Sequence, residues 1–287
     1  MVERAQDPWA GWVLDRRNAE ARGDFRDRVL ANVDVRAGDV LLDVGTGDGL
    51  IGFGALPLTG LSGKVIFSDI SEELLDHCRR VAVESGVADR CEFRRMSADD
   101  LDGIADASVD VLTTRSVLIY VQDKGRAFRE FCRVLPPGGR VSIFEPINSF
   151  GFPEPEDRFV GYDVAPIVEL AEKVKAVYDR IQPPDDPMLD FDERDLVRHA
   201  EDAGFADIQL TLELSVSRRP WTAGSSWEEF LETAGNPRLP PLGEVLASAL
   251  DAGECERFAA HLRPLLERGV GEGRLAHAYL WATKEPA

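Results

Sequence analysis

The sequence predicts an α/β protein, doubly wound around a mostly parallel, seven-stranded sheet, with helical insertions beyond its fifth and sixth strands. Three observations predict it. Short β-prone runs alternate with amphipathic helical stretches from Val40 to Glu145. The segment Val40 to Leu56, VLLDVGTGDGLIGFGAL, passes from an apolar run through glycines on alternate positions into a helical pattern. The chain has 287 residues, 44% of them hydrophobic, enough to bury a full core. Strand–helix alternation of this kind argues for parallel strands joined by crossover helices on both faces.

Each element has its own signal. The first 35 residues read as helical and end in DFRDRVLANV. Strands are expected at Val40–Val44, Lys64–Asp69, Cys91–Arg95, Val109–Arg115, Arg140–Glu145, Asp207–Ser217 and Leu275–Thr283. Between them, SEELLDHCRRVAVESGV and DKGRAFREFCRVLPPGG carry apolar residues at helical spacing and stop at glycine. Pro146 to Asp163 breaks the rhythm with proline, glycine and acid. A helix should follow, its stripe made by Val164, Ile167, Val168, Ala171, Val174, Tyr178 and Ile181, closed by QPPDDP. After the sixth strand, a turn-rich piece and two short helices are expected before the closing strand. Such insertions either cover a pocket or decorate the fold.

Composition limits the function. With 33 basic and 52 acidic residues the formal charge is −19, and no Lys/Arg run stands out. A surface this acidic repels phosphate backbones, which argues against a nucleic-acid partner. Cys78, Cys91, Cys132 and Cys255 lie far apart, so reduced core thiols are expected in place of a zinc site or a disulfide framework. No apolar run approaches about 18 residues, and the N-terminus lacks a signal-peptide core. The expected protein is soluble and cytoplasmic, without a membrane partner; a homodimer is compatible with the sequence.

The glycine loop points to its ligand. GDGLIG, Gly47 to Gly52, matches GxGxxG as text, but the register is wrong for a dinucleotide. The first glycine after the strand is Gly45, and Leu50 stands where the third glycine would fall. Asp43 at the strand end would aim a like charge at a pyrophosphate, whereas a ligand with a cationic end would be held. S-adenosylmethionine carries a sulfonium and an ammonium and no phosphate. The next strand, in KVIFSDIS, ends in Asp69, placed to accept both ribose hydroxyls. Ile70 follows, on the expected adenine face. The bland reading of Asp69 is a helix cap, although Ser71 can do that work.

These residues together resemble the class I S-adenosylmethionine-dependent methyltransferases, in the branch that methylates small molecules. LLDVGTGDG resembles the family's first motif, FSDIS its second-strand acid, SADDLDGIADASVDVLTTRSVLIYV its third and fourth strand ends, and FREFCRVLPPGGRVSIFEP its last helix and fifth strand. The likeness covers about Val35 to Pro146; beyond it only the closing strand AHAYLWATK is similar. It implies a Rossmann-like fold with S-adenosylmethionine as cofactor. Asp43, Gly45, Thr46 and Gly47 would line the methionine half, and Asp69 and Ile70 the adenosine. Where the family often has an acid that meets the adenine amino group, this chain has Ser97 before Ala98; Ser97, Asp99 or a backbone group would make that contact. Arg115 and Ser116 would sit beside the methionine moiety, Arg115 paired either with the cofactor carboxylate or with a protein acid. The implied organisation is a helical cap at 1–34, a cofactor-binding core at 35–146, an acidic helical lid at 147–191, a core helix and strand at 192–218, a helical insertion at 219–273 and a closing strand at 274–287.

Methyl transfer needs alignment and water exclusion more than a catalytic signature. The candidate general base is Glu145, at the C-terminal end of the fifth strand, with a turn cap as the equal alternative. Tyr120, Tyr162 and Asp163 are weaker candidates, and His277 reads as a core or edge residue. Gly151 to Asp195 holds 13 acids and 5 basic residues, which suits either a cationic acceptor or a solvated face. Phe150, Phe152, Phe159 and Tyr162 in the same stretch are candidates to meet an apolar acceptor. Trp9 and Trp12 belong either to a lid or to the core. The expected function is methyl transfer to an O, N or C atom of a small molecule. The rival is a catalytically weak or inactive S-adenosylmethionine-binding regulator of the same fold. An NAD-dependent dehydrogenase fails on Asp43 and Leu50.

Overall fold

Apolar runs bounded by glycine and acid turn out to be the buried strands of one sheet. The computed structural model describes residues 7–14 and 23–285. The helix expected over 15–22 and the outermost ends of the chain lie outside the described residues. Strands β1 (Val40–Val44), β2 (Lys64–Asp69), β3 (Cys91–Arg95), β4 (Val111–Arg115) and β5 (Arg140–Pro146) pair in parallel. After the two-residue strands β6 (Arg158–Phe159) and β7 (Tyr162–Asp163) come β8 (Phe205–Ser217) and β9 (Gly273–Lys284). The sheet order is β3-β2-β1-β4-β5-β9-β8, with β9 antiparallel to β5. The strand order reverses between β1 and β4, which is where open α/β sheets bind their ligands.

The chain forms two compact units. The first comprises residues 1–146, 191–212 and 277–287; the second comprises 147–190 and 213–276. In the first, the helices are α1 (Pro8–Val13), α2 (Gly23–Asn32), α3 (Leu50–Thr59), α4 (Glu72–Glu84), α5 (Lys124–Val134) and, later in the chain, α7 (Glu193–Ala203). Helix α4 starts at Ser71, whose hydroxyl accepts the Leu74 N–H, and carries Glu72 and Glu73 in its first turn. Acid there complements the positive end of the helix dipole. Helix α5 starts at Asp123, which accepts the Arg126 N–H at 2.7 Å, and stops before Pro136. Leu41, Val65, Phe67 and Val111 of the sheet are fully buried against Val29 of α2 and Ile51 and Ala55 of α3. Phe67 lies 4.8 Å from Phe53 and 5.2 Å from Phe93, ring to ring. Side chains of this size contribute about 1.5–3 kcal/mol each when fully buried.

The second unit has a core of its own. It contains β6 and β7, helix α6 (Val168–Ile181), and helices α8 (Trp227–Leu231), α9 (Leu242–Ala249) and α10 (Ala252–Arg268). Phe159, Tyr162, Leu170, Val174, Phe230, Phe258 and Leu262 are buried together. The Tyr162 hydroxyl shares a 3.1 Å hydrogen bond with Thr222, and the ring is fully buried.

Three expectations need correction here. The insertion before the last strand holds three helices, not two short ones, and α10 runs for 17 residues. Phe159 and Tyr162 are core residues of the second unit, so they do not present rings to an acceptor, and the bonded Tyr162 is no base. Phe150 lies under the Arg274 guanidinium at 4.8 Å, leaving Phe152, about half exposed, as the open ring of the four.

Candidate cofactor and active site

The loop after β1 is built by glycines in conformations that other residues resist. Gly45, Gly47 and Gly49 have φ of +64°, +58° and +83°. A left-handed φ costs an L-residue roughly 1–2 kcal/mol. At Gly45 the requirement is doubled, because a Cβ there would lie 2.2 Å from the Val117 Cγ2 atom. The bend is tied down on both sides: the Thr46 N–H donates to the Ser68 carbonyl at 2.8 Å, and the Gly47 N–H donates to Asp69 at 3.0 Å.

Asp43 does not stand at the mouth of this bend. It is 1% exposed, and its carboxylate accepts from Thr46 Oγ1 at 2.7 Å, Gly52 N at 3.1 Å and Thr113 Oγ1 at 2.9 Å. The expectation that it meets a ligand is therefore corrected: it fastens the loop to α3 and β4 from below. Burial pushes its pKa up to about 6, against the pull of those hydrogen bonds and of the Arg115 charge. Arg115 stands at the end of β4, half-buried. Next to it Ser116 takes φ of +55°, a strained conformation for a non-glycine residue and a mark of functional sites.

Asp69 closes the neighbouring strand end. One oxygen accepts the Ser71 N–H at 2.9 Å and the other the Gly47 N–H at 3.0 Å. A carboxylate has about four acceptor sites, so two remain for a vicinal diol. Burial raises its pKa, and the nearby Asp7 charge adds to the rise. Ile70, beside it, is 49% exposed, an apolar surface at a strand end. Beyond the C-terminal end of β3, Ala98 is buried and the Ser97 hydroxyl donates to the Asp99 carboxylate, with Ser97 and Asp99 half-buried.

Helix α1 contributes Asp7, which sequence reasoning had not assigned, beside Trp9 and Trp12, which it had placed in a lid or the core. Asp7 caps it by accepting the Trp9 N–H at 2.9 Å, and also accepts from the Ser71 hydroxyl at 2.5 Å. Trp9 packs edge-on against Tyr120, 4.6 Å between centroids, while Trp12 is 40% exposed. The visible signal was Asp-Pro ahead of a short apolar stretch, a cap followed by proline at the first helical position. Val117 and Thr113 were likewise missed.

Glu145 is placed at the C-terminal end of β5 as expected, but not as a base. It is fully buried, and its carboxylate accepts the N–H groups of Val117 and Leu118 at 2.9 Å and of Ile119 at 3.3 Å. Burial pushes its pKa up to about 7, against those amides and Lys124. The carboxylate thus caps the 3₁₀ turn Leu118–Tyr120. Of the other base candidates, Asp163 accepts the Ala165 N–H at 3.0 Å within the second unit. His277 packs between Phe25 and Phe144, as a core or edge residue should. Cys78, buried under the loop with its thiol pKa driven well up by burial, is no nucleophile.

The family pattern described as a methyltransferase domain matches residues 42–143, the segment that holds the bend, Asp69 and the β4 end. Over those residues the chain is similar to methyltransferase domains. The ubiquinone/menaquinone biosynthesis C-methyltransferase UbiE of Francisella philomiragia is 31% identical over 121 residues, 42% of this chain and 48% of the relative. The chain thus spans about half the length of the curated relatives it matches. Among solved structures, a geranyl diphosphate methyltransferase in complex with SAM superposes with a TM-score of 0.54 at 18% identity, covering 98% of this chain and 93% of that one. The [4+2]-cyclase SpnF superposes with a TM-score of 0.53 at 18% identity, over 93% of this chain and 82% of that one. At such identities the likeness is one of fold, and a cyclase shares the fold of the methyltransferase domain. Among the described residues, no group of His, Cys, Asp and Glu could hold a metal ion, and no helix is long and apolar enough to cross a membrane.

Proposed function

We propose that the protein is an S-adenosylmethionine-dependent methyltransferase acting on a small molecule. The observation that carries the reading is the pairing of a glycine bend with Asp69 and the exposed Ile70 at the point where the strand order reverses. The residues fit the cofactor: the bend offers backbone without Cβ atoms, Asp69 keeps acceptor capacity for a ribose diol, and Ile70 offers an apolar face to a base. When bound, S-adenosylmethionine supplies an electrophilic methyl group on a sulfonium. Gly45, Thr46 and Gly47 shape the methionine half, with Asp43 fixing them from behind. Arg115 and Ser116 flank that half, and Ser97, Ala98 and Asp99 border the adenine. The acids around the bend, Asp48 and Asp69 with Asp7, favour a cationic ligand over a diphosphate.

The chain's own contribution to the chemistry is alignment and water exclusion, which supply most of what an already activated methyl donor needs. With Glu145 engaged by backbone amides, Tyr120 is left as a weaker base candidate among the described residues of the first unit. An acceptor that is nucleophilic without losing a proton first, or that ionises readily, suits this site best. Residues 147–191 and 219–273 are taken as the insertions that choose the acceptor. The net charge of −19 disfavours a nucleic-acid acceptor. A cytoplasmic enzyme with reduced cysteines is the expected setting, and light scattering tests whether it works as a homodimer.

The test has two parts. Titration calorimetry with S-adenosylmethionine and with its demethylated product should give micromolar binding, about −8 kcal/mol. Asp69→Ala should weaken both by about 10–100-fold, the worth of charge-assisted hydrogen bonds to the ribose. Release of the demethylated product over a panel of phenols, amines and activated carbon acids then separates an enzyme from a binding protein. Binding that is unchanged in Asp69→Ala would remove the ribose assignment. Binding without turnover on any acceptor class would favour a regulator.

A further inference from the structure

We propose that Glu145 is a positioning residue of the cofactor site, which sets cofactor affinity by holding the 117–121 turn against the glycine bend without itself touching ligand. The inference rests on the methyltransferase reading for its ligand and on geometry for its mechanism. The turn begins at Ser116, strained at φ of +55°, and has no side-chain cap of its own. Its leading N–H groups, from Val117, Leu118 and Ile119, all donate to the one buried carboxylate, 26 to 28 residues further along the chain. Without that acceptor, amides at a buried helix start have no partner.

What the turn carries is what makes Glu145 consequential. Val117 packs into the space that a side chain at position 45 would need. Tyr120 meets Trp9 of α1, and α1 in turn holds Ser71 through Asp7. One carboxylate thereby fixes a chain of contacts that touches the bend and reaches Asp69 through Ser71. A strained segment persists only where its surroundings over-determine it, and here the surroundings are three N–H···O bonds.

The charge state of Glu145 should therefore matter. The groups that face it are the three amides, uncharged Ala278 of β9 in register beside it, and Lys124 of α5. Lys124 is 4% exposed, donates to the Val121 carbonyl at 3.2 Å and rests 4.6 Å over the Phe191 ring. Behind it stands His199 of α7, whose pKa is lowered by burial and by the Lys124 and Arg198 charges. Protonation would turn one acceptor oxygen into a donor facing N–H groups, and the turn would loosen. With the carboxyl pushed up to about 7, that change falls within the working pH range.

The experiment compares the parent with Glu145→Gln, an isostere that does not ionise. Affinity for the demethylated product is measured by calorimetry from about pH 6 to pH 8. If only the ionised form binds well, the parent should bind about tenfold more weakly at the lower pH on account of Glu145, and about twofold through Asp43. Glu145→Gln should bind weakly throughout and keep only the twofold part. Hydrogen exchange supplies a readout independent of ligand: the Val117, Leu118 and Ile119 amides should lose protection in the variant while those of β1 and β2 keep theirs. Parent-like affinity and pH slope in the variant, or unchanged protection of the three amides, would overturn the proposal. A parent that binds no product at any pH would sink the methyltransferase reading instead, and exchange alone would then decide the role of Glu145.

Discussion

Replacing Gly45 by alanine puts the geometry of the bend to a quantitative test. The added Cβ would lie 2.2 Å from Val117 Cγ2, 3.2 Å from Cγ1 and 3.3 Å from Cβ, in a backbone at φ of +64°. The conformational part should cost about 1–2 kcal/mol. The overlap should add about 1–3 kcal/mol, the usual range for one carbon too many in a packed site. Gly45→Ala should thus destabilise the protein by about 2–5 kcal/mol, read by urea unfolding with an unchanged slope. The two parts separate in a cycle with Val117→Ala. Trimming Val117 removes both Cγ atoms, so the double variant should recover the overlap, a coupling of about 1–3 kcal/mol, and keep the conformational cost. A Gly45→Ala protein within about 0.5 kcal/mol of the parent, or a cycle with no coupling, would refute the packing of the turn on the bend.

Two further outcomes follow from charges in the first unit. The Asp43 carboxyl titrates near 6 instead of its ordinary 3.8. The folded protein therefore favours its protonated form; the associated stability is fully present below the ordinary value and is lost as pH rises through about 6. Asp43→Asn lacks this loss, so its deficit relative to the parent should shrink by up to about 3 kcal/mol between acid and neutral pH, read from urea unfolding at the two ends. Arg140 donates to Asp39 at 2.7 Å and to the Val33 and Asp34 carbonyls at 3.1 and 2.5 Å, with both side chains 12% exposed. Arg140→Ala leaves the Asp39 carboxylate nearly buried without its guanidinium. It should cost about 3–5 kcal/mol in the same assay, and a cost under about 1 kcal/mol would mean the pair acts like a surface one.

β1, β2, β4 and β5 were legible because each is a largely apolar, buried run that ends in a punctuating residue, whereas β3 and β8 are polar or exposed along much of their length. Local signals also fixed α4 and α5 at Ser71 and Asp123. The capping boxes at Ser226/Glu229 and Asp251/Glu254 marked α8 and α10 just as openly, yet proline- and glycine-rich surroundings hid three helices behind an expectation of two. Residues 158–163 are too short for a period to register as β6 and β7.

In the site, position was readable and direction was not. Asp43, Asp69 and Glu145 all stand at strand ends, as their sequence places suggest. What each carboxylate faces depends on partners that the chain brings from elsewhere: Thr113 is 70 residues from Asp43, and Val117 is 28 residues from Glu145. Periodicity assigns a side chain to a face, but it does not count the N–H groups waiting there. The electrostatic case against a diphosphate accordingly shifts from Asp43, buried in the fold, to the acids around the bend.

The antiparallel lane of the sheet has a consequence for synthesis. β9 leaves the ribosome after β5 and β8, yet it lies between them in the sheet. A nascent chain that has not yet reached Gly273 holds β5 and β8 with no strand to bridge them, and the apolar rows of Val141, Ile143 and Phe144 lack their neighbours Ala282, Leu280 and Tyr279. Until that late insertion the first unit exposes adhesive edges, so a stalled or prematurely terminated product should be a preferred client for chaperones and proteases.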